Sequence, residues 1–362
     1  MKRAAIKTLY GEFNFGNKLQ NYAVVRNLEK RNLETVTLQY YKNARGFTGR
    51  IITKVKQLVK LLLSLLHIGK RWNYRNYARD KDRTKIFRSF SQLYLNISEP
   101  INRFNVDQSF IDGFDYIVIG SDQVWNEKNF AYREDLEFFL GTNDQPKVIG
   151  LAGSFGISEI SDKYQNTYKM GFDKMSSISV REVSGASIVE RLTNRKPEVL
   201  VDPVMTLTEE EWLEVCKKPA WIVPDAYILC YFLGEKNDYL AEIGKYATKN
   251  NLKIIDVMER SSDHYLTGPS EFIYLLKNAE YVCTDSFHAC VFSLIFNTPF
   301  RVFNRVDKFK DMSTRLVTLL EIFDCSYATS PNMCKEAFNW ESINNTIVMK
   351  KQEFLEYLEK SV

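Results

Sequence analysis

His288 is the residue whose neighbours place it best for chemistry. It closes the stretch Thr284-Asp285-Ser286-Phe287-His288, where a short apolar run, Tyr281–Thr284, meets the start of a helix. A run of that kind bounded by turn residues reads as a parallel strand covered on both faces. Asp285 or Ser286 caps the helix that follows, which buries Val291, Phe292, Leu294 and Ile295 and stops at Asn297-Thr298-Pro299. His288 thus falls in a first helical turn just past the carboxyl end of a strand, the edge of an open α/β sheet at which ligands bind. An imidazole there suits proton transfer or anion binding, and the structural alternative is a histidine that only caps its own helix.

Other strand ends repeat the arrangement. Residues 3–8 form a first strand, followed by a loop containing Gly11 and Gly16 and a helix over about 18–31. The glycines let backbone N–H groups approach a ligand and the helix start favours an anion, although a GxxxxG spacing without Lys-Ser/Thr is not a P-loop. Strands follow at 35–38 and at Asp115–Gly120, the latter running into Ser121-Asp122-Gln123-Val124-Trp125-Asn126. Val148–Leu151 ends in Ala152-Gly153-Ser154, Ser177–Val180 in Arg181-Glu182, and Glu198–Val201 in Asp202-Pro203. One edge of a parallel sheet is therefore lined with hydrogen-bonding groups, as at the mouth of a cleft. Arg181 directly follows a buried strand, where a long cation has either an anion to bind or Glu182 to pair with. Arg315 begins the helix STRLVTLLEIF, a position that the helix dipole disfavours for a cation, so it is either an anion contact or a surface arginine. Asp122 either accepts a proton or caps the next turn.

These residues must be positioned by more than one domain, since 362 residues exceed one comfortable core. The expected organisation is a first α/β domain over 1–203, a Pro-punctuated linker over 204–225, and a second α/β domain over 226–362. The second has strands at 227–232, 253–256, 281–284 and 300–303, and a terminal helix around Gln352–Lys360 that packs back on the first domain. With no CxxC among six cysteines and no metal-ligand spacing among three histidines, the expectation is reduced thiols, a cytoplasmic location and no metal. The net charge of +4 hides an asymmetry. Lys42 to Arg88 holds fourteen Lys/Arg and two Asp, a local +12, leaving the remainder at −8. Within a helical insertion at about 45–90, the segment 51–68 is too short and too basic to span a membrane. It reads either as an interfacial helix docking residues 51–88 on an anionic membrane surface, or as a core helix with a solvated basic extension. No nucleic-acid module accompanies the charge.

Several of these turns together resemble the polysaccharide pyruvyl transferase family: Gly16-Asn17-Lys18-Leu19-Gln20-Asn21-Tyr22-Ala23, Gly120 to Asn126, Ser179-Val180-Arg181-Glu182, Val201-Asp202-Pro203 and Thr284 to His288. The resemblance implies an α/β, GT-B-like fold, with two Rossmann-like domains whose parallel sheets face across a cleft. It also implies transfer of pyruvate from phosphoenolpyruvate to a sugar of a surface polysaccharide or its lipid-linked precursor, forming a ketal, with no cofactor. On that reading His288 and Asp122 are catalytic, and Arg181, Ser286, His288 and Arg315 hold the donor. Asn17, Gln20, Asp122, Asn126 and Glu271 meet the acceptor. Ser286 stands where members often carry an arginine, which shifts anion binding onto Arg181 and Arg315. Two other functions suit the same fold: a nucleotide-sugar-dependent glycosyltransferase and a non-catalytic glycan-binding relative. The reaction needs donors for a carboxylate and a phosphate, and a group that moves protons, which arginines, helix starts and a histidine supply.

Overall fold

A computed structural model describes residues 1–11, 13–42, 44–46, 48–49, 51, 52, 55, 59, 74–141, 146–305 and 313–362. Six strands, β1 (Lys2–Lys7), β2 (Leu33–Thr37), β3 (Tyr116–Gly120), β4 (Lys147–Gly153), β5 (Ser177–Val180) and β6 (Glu198–Val199), form one sheet in the order β2-β1-β3-β4-β5-β6. β7 (Tyr227–Tyr231), β8 (Lys253–Asp256), β9 (Tyr281–Thr284) and β10 (Phe300–Val302) form a second, in the order β10-β9-β7-β8. Every pairing is parallel. The strands fall where the apolar runs predict. β3, β7 and β9 are buried at every residue, as strands covered by helices on both faces must be. The protein is thus built from two parallel-sheet α/β domains, the GT-B-like class that the sequence implies.

Strand order decides where a ligand goes. In each sheet the first strand is flanked by the second and the third, β1 by β2 and β3, and β7 by β8 and β9. Connections leaving such a switch point run to opposite faces and open a crevice beyond the strands' carboxyl ends. The loops after β1 and β3 therefore flank one crevice, and those after β7 and β9 the other. Asp285 ties the second pair together, its carboxylate accepting the N–H groups of Leu233 and Gly234 at 2.8 Å each.

The two sheets share one apolar core, which runs from Ile6 and Leu19 through to Leu229 and Phe292. The helix Phe15–Glu29 is buried over most of its length and forms its middle. Phe15 stacks on Phe272 with ring centroids 4.0 Å apart and meets Tyr231 edge-on at 5.2 Å. Tyr22 packs against Trp212. At the other end of the chain a helix over Trp340–Ser361, longer than the sequence suggests, is started by the Asn339 side chain accepting the Ser342 N–H. Its Tyr357 hydroxyl donates to the Gly150 carbonyl of β4 at 2.7 Å.

The segment 51–68 expected to form an interfacial helix lies almost wholly outside the described residues. The helix that follows, Tyr74–Tyr94, corrects the picture of a basic stretch turned entirely outward. Arg83 is fully buried. Its guanidinium donates to the carbonyls of Val257 and Tyr265 and lies against the rings of Phe15, Phe87 and Tyr265. Arg79 donates to the Ser262 carbonyl and faces Asp263 at 3.7 Å. These two cations clamp the helix to the second half of the molecule. Among the described residues no helix is long and apolar enough to cross a membrane. Replacing Arg83 by Met strands two carbonyls in an apolar setting and should cost about 3 kcal/mol. Urea denaturation should accordingly show a lower midpoint with an unchanged slope.

Candidate functional site

A cavity of about 280 Å³ lies where the two crevices meet. The loops after β1, β3, β7 and β9 all contribute, through Asn14, Asp122, Leu233 and Asp285. Four cationic side chains line it, Lys42, Lys128, Arg305 and Arg315, with His288. Among the described residues two carboxylates line it with them, Asp122 and Asp285. Asp285 is already occupied by the Leu233 and Gly234 N–H groups. Burial raises its carboxyl above the usual range, although those N–H groups and Arg305 oppose the shift.

Behind the cavity wall, carboxylates and guanidinium groups alternate. Asp202 pairs with Arg181, Arg181 Nη2 stands 3.7 Å from Asp122 Oδ1, and Arg315 Nη1 lies 3.7 Å from the same oxygen. The aromatic face of Phe287 backs both arginines, at 4.4 Å from Arg181 and 5.5 Å from Arg315. Burial pushes the Asp202 and Asp122 carboxyls up, but the neighbouring charges win and hold both below the usual range. These are Arg181 and His288 at Asp202, and His288, Arg181 and Arg315 at Asp122. Burial, helped by Arg181, brings Arg315 down to about 10, so it is still a cation at neutral pH. Asp122 adopts φ of 66° and is held there because its carbonyl accepts the N–H groups of Val124 and Ser154. Aspartate enters that region more readily than most non-glycine residues.

His288 is held from two sides. Its Nε2 stands 3.5 Å from Asp202 Oδ2, a carboxylate that also accepts the Ser121 hydroxyl at 3.2 Å and the Val204 N–H at 3.0 Å. Gly16, in the first turn of the helix Phe15–Glu29, packs on the imidazole so closely that a Cβ there would sit 2.1 Å from Nδ1. The glycine serves contact with the ring, since its φ is ordinary. A ring aligned by a buried carboxylate can take up and give back a proton without reorienting. Several donors at this site have no hydrogen-bond partner among the described residues: His288 Nε2, Gln123 Nε2, Arg315 Nε, and Arg181 Nε and Nη2. Of these, Gln123 and Arg315 line the cavity, whereas His288 Nε2 faces Asp202 and Arg181 Nη2 faces Asp122.

The structure brings His288, Asp122, Arg315, Ser286, Asn17 and Asn126 to the cavity. Asn17 Nδ2 donates to Asp122 Oδ2, and Asn126 caps the following turn by accepting the Lys128 N–H at 3.0 Å. Arg181 stands one layer behind, paired with Asp202 and not with Glu182, whose carboxylate takes the N–H groups of Phe155 and Gly156. Gln20 does not line the cavity. Its amide N–H donates to Thr8 and its carbonyl accepts the Ser121 N–H, so it braces the two loops. Glu271 is also elsewhere, in the first turn of the helix Pro269–Lys277 and 3.8 Å from Lys217, as a helix-start charge. Sequence reasoning missed Lys42, Lys128, Arg305 and the anchoring role of Asp202. Arg305 follows β10 and Lys128 follows the Asp122 turn, so the strand-end rule reaches both, whereas no local signal marks Lys42.

Residues 14–307 match the family model of polysaccharide pyruvyl transferases. The chain belongs to the polysaccharide pyruvyl transferase family. The match takes in the site from Asn14 to Arg305 and stops short of Arg315. None of the curated proteins compared matches the chain. Among solved structures the chain is similar in fold to a UDP-GlcNAc 2-epimerase from Methanocaldococcus jannaschii (12% identity, 96% of this chain and 99% of that one, TM-score 0.47). It is also similar to the UDP-GlcNAc 2-epimerase from Neisseria meningitidis bound to UDP-GlcNAc (12%, 99% and 100%, TM-score 0.44).

Two outcomes follow from the way His288 and Asp202 are held. Alanine favours a helix over glycine by about 1 kcal/mol, but a Cβ at Gly16 would meet three ring atoms of the buried His288 and must displace the imidazole, at about 1–3 kcal/mol. Gly16→Ala should therefore lower the thermal midpoint by a few degrees and turnover by about a hundredfold, and unaltered turnover would refute the importance of the ring's position. The folded-state pKa values of Asp202 and Asp122 lie below the unfolded value of about 4, so as pH falls the unfolded chain takes up protons first. Their contribution to stability is therefore complete above about pH 4 and lost below it, as pH drops through the folded values. Asp202→Asn should start less stable at pH 7 and show a shallower acid limb, read as thermal midpoints from pH 7 to 2.

Proposed function

We propose that the protein transfers pyruvate from phosphoenolpyruvate to a pair of hydroxyls on a sugar of a surface polysaccharide, or of its lipid-linked precursor. The observation that carries the reading is the cavity's imbalance. Among the described residues Lys42, Lys128, Arg305 and Arg315 face two carboxylates, one already engaged by backbone N–H groups, beside a histidine held by a buried aspartate. Such a site suits a small donor carrying both a carboxylate and a phosphate.

The chemistry is an addition followed by a substitution at C2 of the donor. A proton reaches C3, which becomes the methyl group, and one sugar oxygen adds to C2. The C2–O bond to phosphate then breaks, and the second sugar oxygen closes the ketal. Of the two hydroxyl protons, one ends on C3 and the other leaves with phosphate. His288 moves the proton at the reacting carbons, because its imidazole lines the cavity and is held in orientation by Asp202. Asp122, held ionised by His288, Arg181 and Arg315, is a poor acid; it fixes Arg315 and the Asn17 amide where the substrates meet. Arg315 and the lysines neutralise the departing phosphate. Apart from the inward-turned Arg79 and Arg83, the locally basic stretch 51–88 suits an acceptor carried on a lipid at the inner face of the membrane, and flotation with anionic vesicles at low salt is the test of that part.

The deciding assay is release of inorganic phosphate from phosphoenolpyruvate that depends on added glycan; its absence across surface-polysaccharide precursors would sink the proposal. His288→Gln should lower kcat by about 10³ with phosphoenolpyruvate still bound. Arg315→Met should instead raise KM for the donor by about tenfold or more.

A further inference from the structure

Beside the main cavity lies a second one, of about 180 Å³, lined by Leu9, Tyr10, Asn17, Tyr40, Tyr41 and Lys42 among others. Leu9, Asn17 and Lys42 are walls of both. The two spaces are neighbours across those side chains, and Asn17 marks the junction, since its amide donates to Asp122 on the main-cavity side. The chemistry of the second space differs from that of the first. It is walled by aromatic rings, three tyrosines with Phe139, and among the described residues Lys42 is its charged side chain.

Its aromatic wall is fixed. Tyr40 is buried, stacks on Phe138 with centroids 3.9 Å apart, and donates its hydroxyl to Asp135 at 2.8 Å. The Tyr10 ring is gripped by the Lys18 ammonium, 3.5 Å from its centroid. Gly11 lies so close to Asn17 that a Cβ would come within 2.2 Å of Oδ1, which sets the Tyr10-Gly11 turn against the Asn17 amide. Tyr41 accepts the Gln39 amide at 2.9 Å and stays half-exposed, as Tyr10 does.

Rigid aromatic faces with amide, ammonium and hydroxyl groups at their rim suit a pyranose. The axial C–H groups of a sugar ring are slightly positive and settle on the negative face of an aromatic ring, while its hydroxyls reach the polar rim. A nucleotide would bring phosphates, for which this space offers a single lysine. We propose that this side cavity is the acceptor subsite. It takes one pyranose ring of the glycan on the Tyr10 and Tyr41 side and directs a pair of its hydroxyls past Asn17 into the main cavity. The inference rests on the pyruvyl transfer reading for the identity of the ligand, and on the aromatic walls for its place.

Full-length protein and its Tyr10→Ala and Tyr10→Phe variants should be compared in two measurements. One is calorimetric titration with phosphoenolpyruvate. The other is saturation-transfer NMR with methyl β-galactopyranoside, methyl β-glucopyranoside and N-acetylmannosamine. In the wild type at least one sugar should receive saturation. That signal should fall about tenfold in Tyr10→Ala and survive in Tyr10→Phe, with phosphoenolpyruvate affinity held within about twofold in both variants. The unchanged donor affinity also certifies that the variants are folded. Sugar signals equal in wild type and Tyr10→Ala, or absent from the wild type, overturn the subsite. Sugar binding that depends on Tyr10 in a protein that does not bind phosphoenolpyruvate supports the subsite and sinks the donor reading, so the two failures are told apart.

Discussion

The site depends on a carboxylate that has no access to water. Asp202 is buried, and an isolated charge there would be expelled or neutralised. It stays ionised because Arg181 pairs with it, the Ser121 hydroxyl and the Val204 N–H donate to it, and His288 faces it. Each of those partners comes from a different loop, following β5, β3, β6 and β9. The four loop ends are thereby fixed by one side chain, and with them the imidazole that the chemistry uses. Arg181 in turn stands beside Asp122, and Asp122 beside Arg315, so the orientation of the cavity wall is set one layer behind it. Removing a member of such a row leaves its neighbour as an uncompensated buried charge, which is why Arg181 matters to the site without lining it.

The topology explains why residues so far apart in sequence meet. Both sheets have their first strand between the second and the third, and both crevices open at carboxyl ends, so the loops after β1, β3, β7 and β9 converge. A single cavity then receives asparagines and Asp122 from one half and the histidine-bearing helix start from the other. Asp285 spends its oxygens on the Leu233 and Gly234 N–H groups, and with Asp122 it faces four cationic side chains among the described residues.

Much of this was legible in the sequence, for physical reasons. Parallel strands buried on both faces leave unbroken apolar runs, so β3, β7 and β9 could be read directly, and the polar residue that ends each run marks the cleft edge. That rule singled out His288 and Asp122, both of which line the cavity, whereas Asn17 came from the family resemblance. Gln20 and Glu271 were not separable from site residues, because helical periodicity says which face is buried and nothing about which neighbour a polar side chain will choose. Gln20 turned to Thr8 and Ser121, and Glu271 to Lys217. Arg181 showed its importance but not its partner, since Glu182 is taken by the Phe155 and Gly156 N–H groups and Asp202 comes beside Arg181 only through the pairing of β6 with β5. Lys42 could not be found at all. It lies in a basic region whose charge masks individual roles, and only the folded chain puts it between the two cavities.

The apolar core that passes unbroken from one sheet to the other has a further consequence, for how such proteins diversify. In a molecule whose halves meet only across a solvent-filled cleft, one half can be exchanged for that of a relative, and new pairings of donor and acceptor arise by recombination. Here Phe15 is sandwiched with Phe272 and Tyr231, Arg83 reaches the carbonyls of Val257 and Tyr265, and Gly16 is matched to the imidazole of His288. A chimera joined between the sheets would part residues that fit only one another. In this chain the two halves are therefore fitted to one another, and a half taken from a relative would have to reproduce these contacts to join it.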